Sequence, residues 1–281
     1  MNQGYLSGQS STGDSPASTC YGAAFLSHSD PKTMRQRADV LLIERGLFPS
    51  RAKAREAIEA GLVQAGGIVV RKPSDMLEPG AEVSAQAAYE WVSRGGLKLV
   101  AGLDHFGIDP IGLTCLDVGA STGGFTHVLV ERGATRVYAV DVGQGQLHRR
   151  LVTHPRVVAM EKTDARGLTE AEIPFPPHLI VCDASFISLK LVLPKALALA
   201  APGARLIALV KPQFEAGRAA VKKGVVRDPG IHATVCLDIQ TWLTSRGWKV
   251  LGLVPSPITG GDGNVEFLIG AQKPATATDI E

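Results

Sequence analysis

From Gly95 onward, seven short apolar runs recur, each parted from the next by a polar or helix-forming stretch, and this alternation allows few folds. The runs fall at 114–118, 136–140, 157–160, 178–182, 204–210, 249–254 and 265–270. Strands buried on both faces read as near-continuous apolar runs, and helices crossing between them cover a parallel sheet on both sides. The pattern predicts an α/β, Rossmann-like, seven-stranded doubly wound domain, with helices after Gly123, Gly145, Ser188 and Ile231. No internal repeat interrupts it.

The chain before Gly95 obeys a different pattern. Met34 to Arg45 carries Ala38, Leu41 and Leu42 at helical spacing and closes on Gly46, which predicts one short helix. Ser50, the helix-forming run 51–60 and Gly61 give a cap, a body and a stop in the expected order for a second. Val63, Ile68, Val69 and Val70 around Gly66-Gly67 predict a hairpin. Pro73, Pro79 and Gly80 punctuate the stretch after the hairpin. The expected organisation is a flexible tail over 1–31, a small α+β domain over 32–84, a linker over 85–94, the larger domain over 95–274 and a short tail over 275–281.

Charge gives a partner for the small domain and none for the chain as a whole. Lys and Arg number 29 against 27 Asp and Glu, yet between Lys32 and Lys72 nine cations face four acids. A local excess of this kind points to an anionic partner. Arg35, Arg37, Arg51, Lys53 and Arg55 are the candidate phosphate contacts. Arg51 and Arg55 lie one turn apart on one side of the second helix, with Lys53 on another. Spacing alone fits a solvated basic helix equally well. Lys222-Lys223 is a weaker candidate of the same kind, and Trp91 in the linker is expected to pack an interface between domains rather than stack on a base.

Four scattered cysteines, Cys20, Cys115, Cys182 and Cys236, form no zinc-like spacing, so no metal site is expected and a reducing, cytoplasmic setting is. No apolar stretch reaches the ~20 residues of a membrane helix. The first residues lack the basic start and apolar core of a signal peptide.

The chemistry starts at Leu116-Asp-Val-Gly-Ala-Ser-Thr-Gly-Gly-Phe125, a strand end, a glycine-rich turn and a helix start. Gly119, Gly123 and Gly124 allow close backbone approach and torsions other residues avoid. Asp141 ends the next strand about 20 residues on, where an acid accepts hydrogen bonds from a ribose diol. The pair predicts a nucleoside-containing cofactor, with Asp117, Ala120, Ser121 and Phe125 completing the turn. Ser121 in place of the second glycine breaks the dinucleotide fingerprint. The same residues spell G-x-S-x-G from Gly119 to Gly123, a nucleophile-elbow pattern that leaves a serine hydrolase using Ser121 as an alternative, with His178 and His232 poorly placed to serve it. Asp164, just after the third strand, is either a contact for an adenine amino group or a plain turn aspartate.

Six ordered stretches then resemble one family: Arg51-Ala-Lys-Ala-Arg55, Trp91-Val-Ser-Arg-Gly-Gly-Leu-Lys98, Asp117-Val-Gly-Ala-Ser-Thr-Gly-Gly-Phe-Thr126, Cys182-Asp-Ala-Ser-Phe-Ile-Ser-Leu189, Val210-Lys-Pro-Gln-Phe-Glu215 and Gly263-Asn-Val-Glu-Phe267. From about Arg35 to Gln272 the chain looks like the TlyA (hemolysin A-like) rRNA methyltransferases, which join an S4-type RNA-binding module to an FtsJ-like methyltransferase domain. The resemblance implies S-adenosylmethionine as cofactor, ribosomal RNA or ribosomal subunits as partner rather than DNA or membrane, and methylation of a cytidine 2′-hydroxyl. It also implies a catalytic tetrad at Lys98, Asp183, Lys211 and Glu266, with Asp183 shared by the cofactor site. The hemolysin label on such relatives leaves a cytolytic RNA-binding protein as a further alternative.

Asp183, Lys211 and Glu266 each fall at or near a strand end, where ligands of open parallel sheets bind. A lysine directly after an apolar strand is costly unless a site pairs it. Two carboxylates nearby favour the charged amine, whereas a general base must be neutral. Lys211 is therefore either the base or a fixed positive charge for the developing alkoxide, and the sequence leaves both open. Asp183-Ala-Ser-Phe186 stands where base N-methyltransferases carry Asn/Asp-Pro-Pro-aromatic, which disfavours an amine acceptor.

Overall fold

The computed structural model describes residues 34–275 other than 218, 219 and 222. The leading tail, Cys20, Lys32, Lys222 and all but the first residue of the trailing tail lie outside the described residues. The chain divides into two units, 1–88 and 89–281.

In the first unit the elements run β1 (Gln36–Arg37), α1 (Ala38–Glu44), α2 (Arg51–Glu59), β2 (Val63–Ala65), β3 (Ile68–Val69), β4 (Met76–Leu77) and β5 (Val83–Ala85). The helix expected from Met34 begins only at Ala38, because Gln36 and Arg37 are extended and pair antiparallel with β4. The loop before β4 does the capping: Ala38 N donates to Asp75 O at 2.8 Å and Asp39 N to Pro73 O at 3.1 Å, so orphan donors of the first turn find carbonyls. For α2 the cap is Ser50, whose hydroxyl accepts from Lys53 N. Gly66 and Gly67, at φ +55° and +76°, turn β2 into β3 as a two-residue hairpin loop demands. On its other side β2 pairs with β5, a strand the sequence did not announce. Leu42, Phe48, Ala57, Ile58 and Val63 fill the small core between helices and sheet.

The second unit runs α3 (Gly95–Phe106), β6 (Thr114–Val118), α4 (Gly124–Glu131), β7 (Arg136–Val140), α5 (Arg149–Val152), β8 (Val157–Met160), β9 (Leu179–Cys182), α6 (Leu189–Val192), α7 (Pro194–Leu199), β10 (Arg205–Val210), α8 (Pro212–Glu215), α9 (Pro229–Ser245), β11 (Lys249–Pro255) and β12 (Phe267–Gln272). All seven apolar runs are strands of one sheet, ordered β11-β12-β10-β9-β6-β7-β8. It is not wholly parallel, as the sequence suggested: β12 runs antiparallel to both β10 and β11. No crossover helix separates β11 from β12, and a strand reached by so direct a return pairs antiparallel.

Helix α3 was not expected, because Gly95, Gly96 and Gly102 together cost a helix about 1 kcal/mol each relative to alanine. Packing explains two of them. A Cβ on Gly96 would fall 2.3 Å from Trp91 Cγ, and one on Gly102 would fall 2.9 Å from Ile207 Cγ2, so the helix is pressed against Trp91 on one side and β10 on the other. Trp91 also meets His127 edge-on at 5.5 Å, so it packs inside this unit's own core. From β6 the chain winds outward through β7 and β8, then returns to β9 and β10 on the other side. The carboxyl ends of β6 and β9 therefore flank a topological switch point, the crevice where such sheets bind ligands.

Candidate active site

The glycine turn leaves β6 at this crevice. Gly119 N and Ala120 N both donate to Val140 O, at 2.9 and 3.1 Å, which folds the turn over the end of β7. Gly119 has φ +81° and no room for a side chain, since a Cβ would sit 2.8 Å from Ala184 Cα in the β9 loop. Ser121 adopts φ +47°, unusual for a residue with a side chain, and its N–H donates to Asp141 Oδ2 at 2.8 Å. Asp141 Oδ1 accepts from Gly143 N at 2.7 Å. One carboxylate thus sets both the turn and the loop after β7.

These elements bound a cleft of about 1280 Å³. Of the residues expected to meet a cofactor, Gly119, Ser121, Asp141, Asp164 and Asp183 line it. The others stand behind the wall. Asp117 is fully buried, accepting from Thr126 Oγ1 at 2.6 Å, and burial raises its pKa to about 7. Ala120 packs with Ala139, Leu147 and Leu151, and Phe125 with the core beneath α3. A Cβ on Gly123 would strike Leu151 Cδ1, and one on Gly124 would strike Ser93 Oγ, so these glycines serve packing. Asp164 faces the cleft but its carboxylate is gripped by Arg166, with Nη2 to Oδ2 at 2.6 Å, and is held below its ordinary pKa by that hydrogen bond. Other lining residues, among them Gln146, Ser185, Phe186, Gln213 and Phe214, were not singled out as site residues. Phe186 is 91% exposed at φ +64°, its ring 5.1 Å from that of Phe214. The only sequence signal for it was the Asp-Ala-Ser-Phe tetrapeptide.

Lys98 projects from α3, Asp183 follows β9, Lys211 follows β10 and Glu266 precedes β12. Because β12 is reversed, its start lies at the edge where the other strands end. The four side chains converge. Lys98 Nζ is 2.6 Å from Glu266 Oε2 and 3.7 Å from Asp183 Oδ2, and Lys211 Nζ is 2.7 Å from Asp183 Oδ1. Lys98, Lys211 and Glu266 are buried, so Lys211 is no ordinary exposed lysine at a strand end. Two cations and two anions balance, which is how buried charges are tolerated. Beside that ion pair, Lys211 Nζ donates to Asp183 O at 3.1 Å and Ser185 Oγ at 2.9 Å. Asn264 braces the turn before Glu266: its Oδ1 accepts from Val226 N, and its Nδ2 donates to Gly224 O and Gly261 O.

Neither histidine considered for the hydrolase alternative is placed to serve Ser121 as a base. His232 is buried with Nε2 3.0 Å from Val226 O and its ring against Phe267, while His178 sits at the amino end of β9, away from the turn. In the first unit the expected phosphate contacts are largely engaged by acids. Arg37 and Arg51 both fork onto buried Asp39, whose pKa they lower to about 2, Arg37 by the larger share. Arg35 pairs with Glu78 and Arg55 with Glu59, though the arginine side chains stay largely exposed. Lys53 is partly buried, which lowers its pKa. Among the described residues, no helix is long and apolar enough to cross a membrane.

Comparison with known proteins agrees with this architecture. The FtsJ-like methyltransferase family model matches residues 91–273, and the S4 domain model residues 36–83. The chain is 45% identical to the 16S/23S rRNA (cytidine-2'-O)-methyltransferase TlyA of Mycobacterium tuberculosis over 238 residues, 84% of this chain and 89% of that protein. It is 35% identical to Hemolysin A of Brachyspira hyodysenteriae over 237 residues, 83% of this chain and 98% of that one. A solved structure described as "Putative hemolysin from Streptococcus thermophilus" superposes with a TM-score of 0.68 at 38% identity, covering 88% of this chain and 93% of its own. With an S4 domain ahead of an FtsJ-like domain and such identity along both, the chain belongs to the TlyA (hemolysin A-like) family of FtsJ-like rRNA methyltransferases.

Proposed function

We propose that this protein methylates the 2′-hydroxyl of a cytidine in ribosomal RNA in the cytoplasm, with the S4 unit gripping the RNA and S-adenosylmethionine bound in the cleft at the end of β6. The observation that carries the reading is Lys211, buried at the end of β10 and held between Asp183 and Ser185. The wall suits the cofactor: glycine at 119 leaves the backbone bare, Asp141 lies where a ribose diol would meet an acid, and Asp164 where an adenine amino group would. When bound, the cofactor supplies an electrophilic sulfonium methyl group.

The work left to the protein is to orient a weakly acidic hydroxyl and to hold the charge that grows on its oxygen. Lys211, hydrogen-bonded to Asp183 O and Ser185 Oγ and ion-paired with Asp183 Oδ1, exchanges one of these contacts for the ribose oxygen and stabilises the negative charge that grows there as the hydroxyl proton departs to solvent, the electrostatic role. Taking the proton itself requires Lys211 first to lose one. Asp183 fixes Lys211, and Lys98, tied to Glu266 and facing Asp183, steers the hydroxyl. Fixed geometry supplies much of the remaining acceleration. The exposed arginines of the first unit, Arg35 and Arg37 before α1 and Arg51 and Arg55 on α2, meet phosphates and give affinity with little sequence reading.

The test is methyl transfer from tritiated S-adenosylmethionine to ribosomal subunits, followed by mass spectrometry of the nucleosides for 2′-O-methylcytidine. Lys211→Ala is expected to lower kcat by about 10³-fold while the cofactor still binds. Full activity in that variant removes the mechanism, and a product methylated on the base removes the assigned acceptor.

A further inference from the structure

Glu161 follows β8 and collects three consecutive backbone N–H groups from the loop after β7. Its Oε2 accepts from Gly145 N at 2.9 Å, and its Oε1 from Gln146 N at 2.7 Å and Leu147 N at 3.1 Å. Successive N–H groups pointing at one anion make a nest that favours negative charge. Accordingly these donors, Leu147 N foremost, hold the Glu161 carboxyl below its ordinary pKa. The next residue, Lys162, takes φ +55° and donates its N–H to Gly143 O at 2.8 Å, and Thr163 N donates to Asp141 O at 2.9 Å. The far side of the same loop is tied by Asp141 Oδ1 to Gly143 N. Two carboxylates therefore hold a segment with two glycines, one from each strand that borders it. That segment supplies Val142, Gly143 and Gln146 to the cleft wall, and it ends on Leu147, which packs against Ala120 of the glycine turn.

We infer that Glu161 is a positioning residue for the cofactor: it touches neither the tetrad nor the cleft, but fixes the wall that Asp141 opens. The inference rests on the reading of the cleft as the S-adenosylmethionine site. Without the carboxylate, three adjacent N–H groups turn to water and the loop samples many conformations, so a bound nucleoside must order it on arrival. That cost falls on cofactor binding and leaves the chemistry of the assembled complex alone.

The experiment is steady-state kinetics on Glu161→Ala and Glu161→Gln, with calorimetric titration of S-adenosylmethionine and amide exchange across residues 143–147. Glu161→Ala is expected to raise KM and Kd for S-adenosylmethionine roughly tenfold, with kcat and KM for RNA within about twofold, and to speed exchange at Gly145, Gln146 and Leu147. Glu161→Gln keeps one acceptor oxygen and is expected to lie between the two, about threefold, which preserves the test if the alanine variant does not fold. Unchanged cofactor affinity with wild-type binding intact overturns the positioning role alone, as does a fall in kcat at constant KM. Wild-type protein that fails to bind S-adenosylmethionine overturns the reading of the cleft and the inference with it.

Discussion

Lys98 Nζ lies 2.6 Å from Glu266 Oε2, two opposite charges brought together from positions 168 residues apart and both shut away from bulk water. Removing one member of such a pair strands the other in a poor solvent. Glu266→Ala is therefore expected to cost about 3–5 kcal/mol of stability in urea unfolding. The double change Lys98→Met with Glu266→Leu replaces charge by apolar volume and should recover most of that loss while methyl transfer stays absent. A double variant as unstable as the single one would mean that the pair is held for shape and not for charge.

Asp117 predicts an unusual pH slope. Its folded pKa is about 7 against an ordinary 3.8, because burial penalises the charged form. Between those values the folded protein keeps a proton that the unfolded chain has released. Raising the pH from about 4 to 7 therefore erodes stability by up to about 1.4 kcal/mol per unit from this group, with no further change above or below that window. Asp117→Asn cannot titrate, so the stability difference between variant and wild type should shift in the variant's favour across the window. Unfolding curves at pH 4.5, 6 and 7.5 that move in parallel for the two proteins would contradict this.

The seven strands of the large sheet were legible because an apolar run flanked by turn residues has few other readings, and their edges moved by two residues at most. Helix α3 was hidden by its glycines, which are there to admit Trp91 and β10, contacts a single sequence does not display. The tetrad was visible only through resemblance, since Asp183, Lys211 and Glu266 taken alone are ordinary charged residues near strand ends and Lys98 lies on a helix the sequence hid. What brings Glu266 to the others is the reversal of β12, and nothing in 265–270 encodes its direction. The glycine turn was read correctly as a turn, yet Gly123 and Gly124 answer to Leu151 and Ser93 and not to the cleft. Local charge pointed to an anionic partner, as the S4 domain does, but gave no sign that Asp39 lies buried beneath two of the cations, Arg37 and Arg51.

That arrangement makes Arg37 and Arg51 interdependent. Either change to alanine should weaken RNA binding and lower the slope of log affinity against log salt by about one, because one phosphate contact is lost. The double change leaves Asp39 without either guanidinium. It should lower the slope by about two and also loosen α1, read as faster amide exchange over residues 38–44 than the two single changes add up to. Additive exchange would show that Asp39 does not depend on them.

At Ser121 the backbone matters more than the hydroxyl. Ser121→Gly relieves φ +47° and keeps the N–H on Asp141, whereas Ser121→Pro forbids that torsion and deletes the donor. Calorimetric titration is expected to find S-adenosylmethionine binding within about threefold of wild type for the glycine variant and at least tenfold weaker for proline. Equal loss in both would move the emphasis to the side chain.

The place of β12 has a consequence for how the protein is made. Among the sheet's strands β11 pairs with β12 alone, so during synthesis it emerges with no neighbour to dock against until the last strand has left the ribosome. Glu266 arrives in the same final stretch, long after the lysine it must neutralise. A chain released early therefore lacks both a complete sheet and a balanced charge cluster.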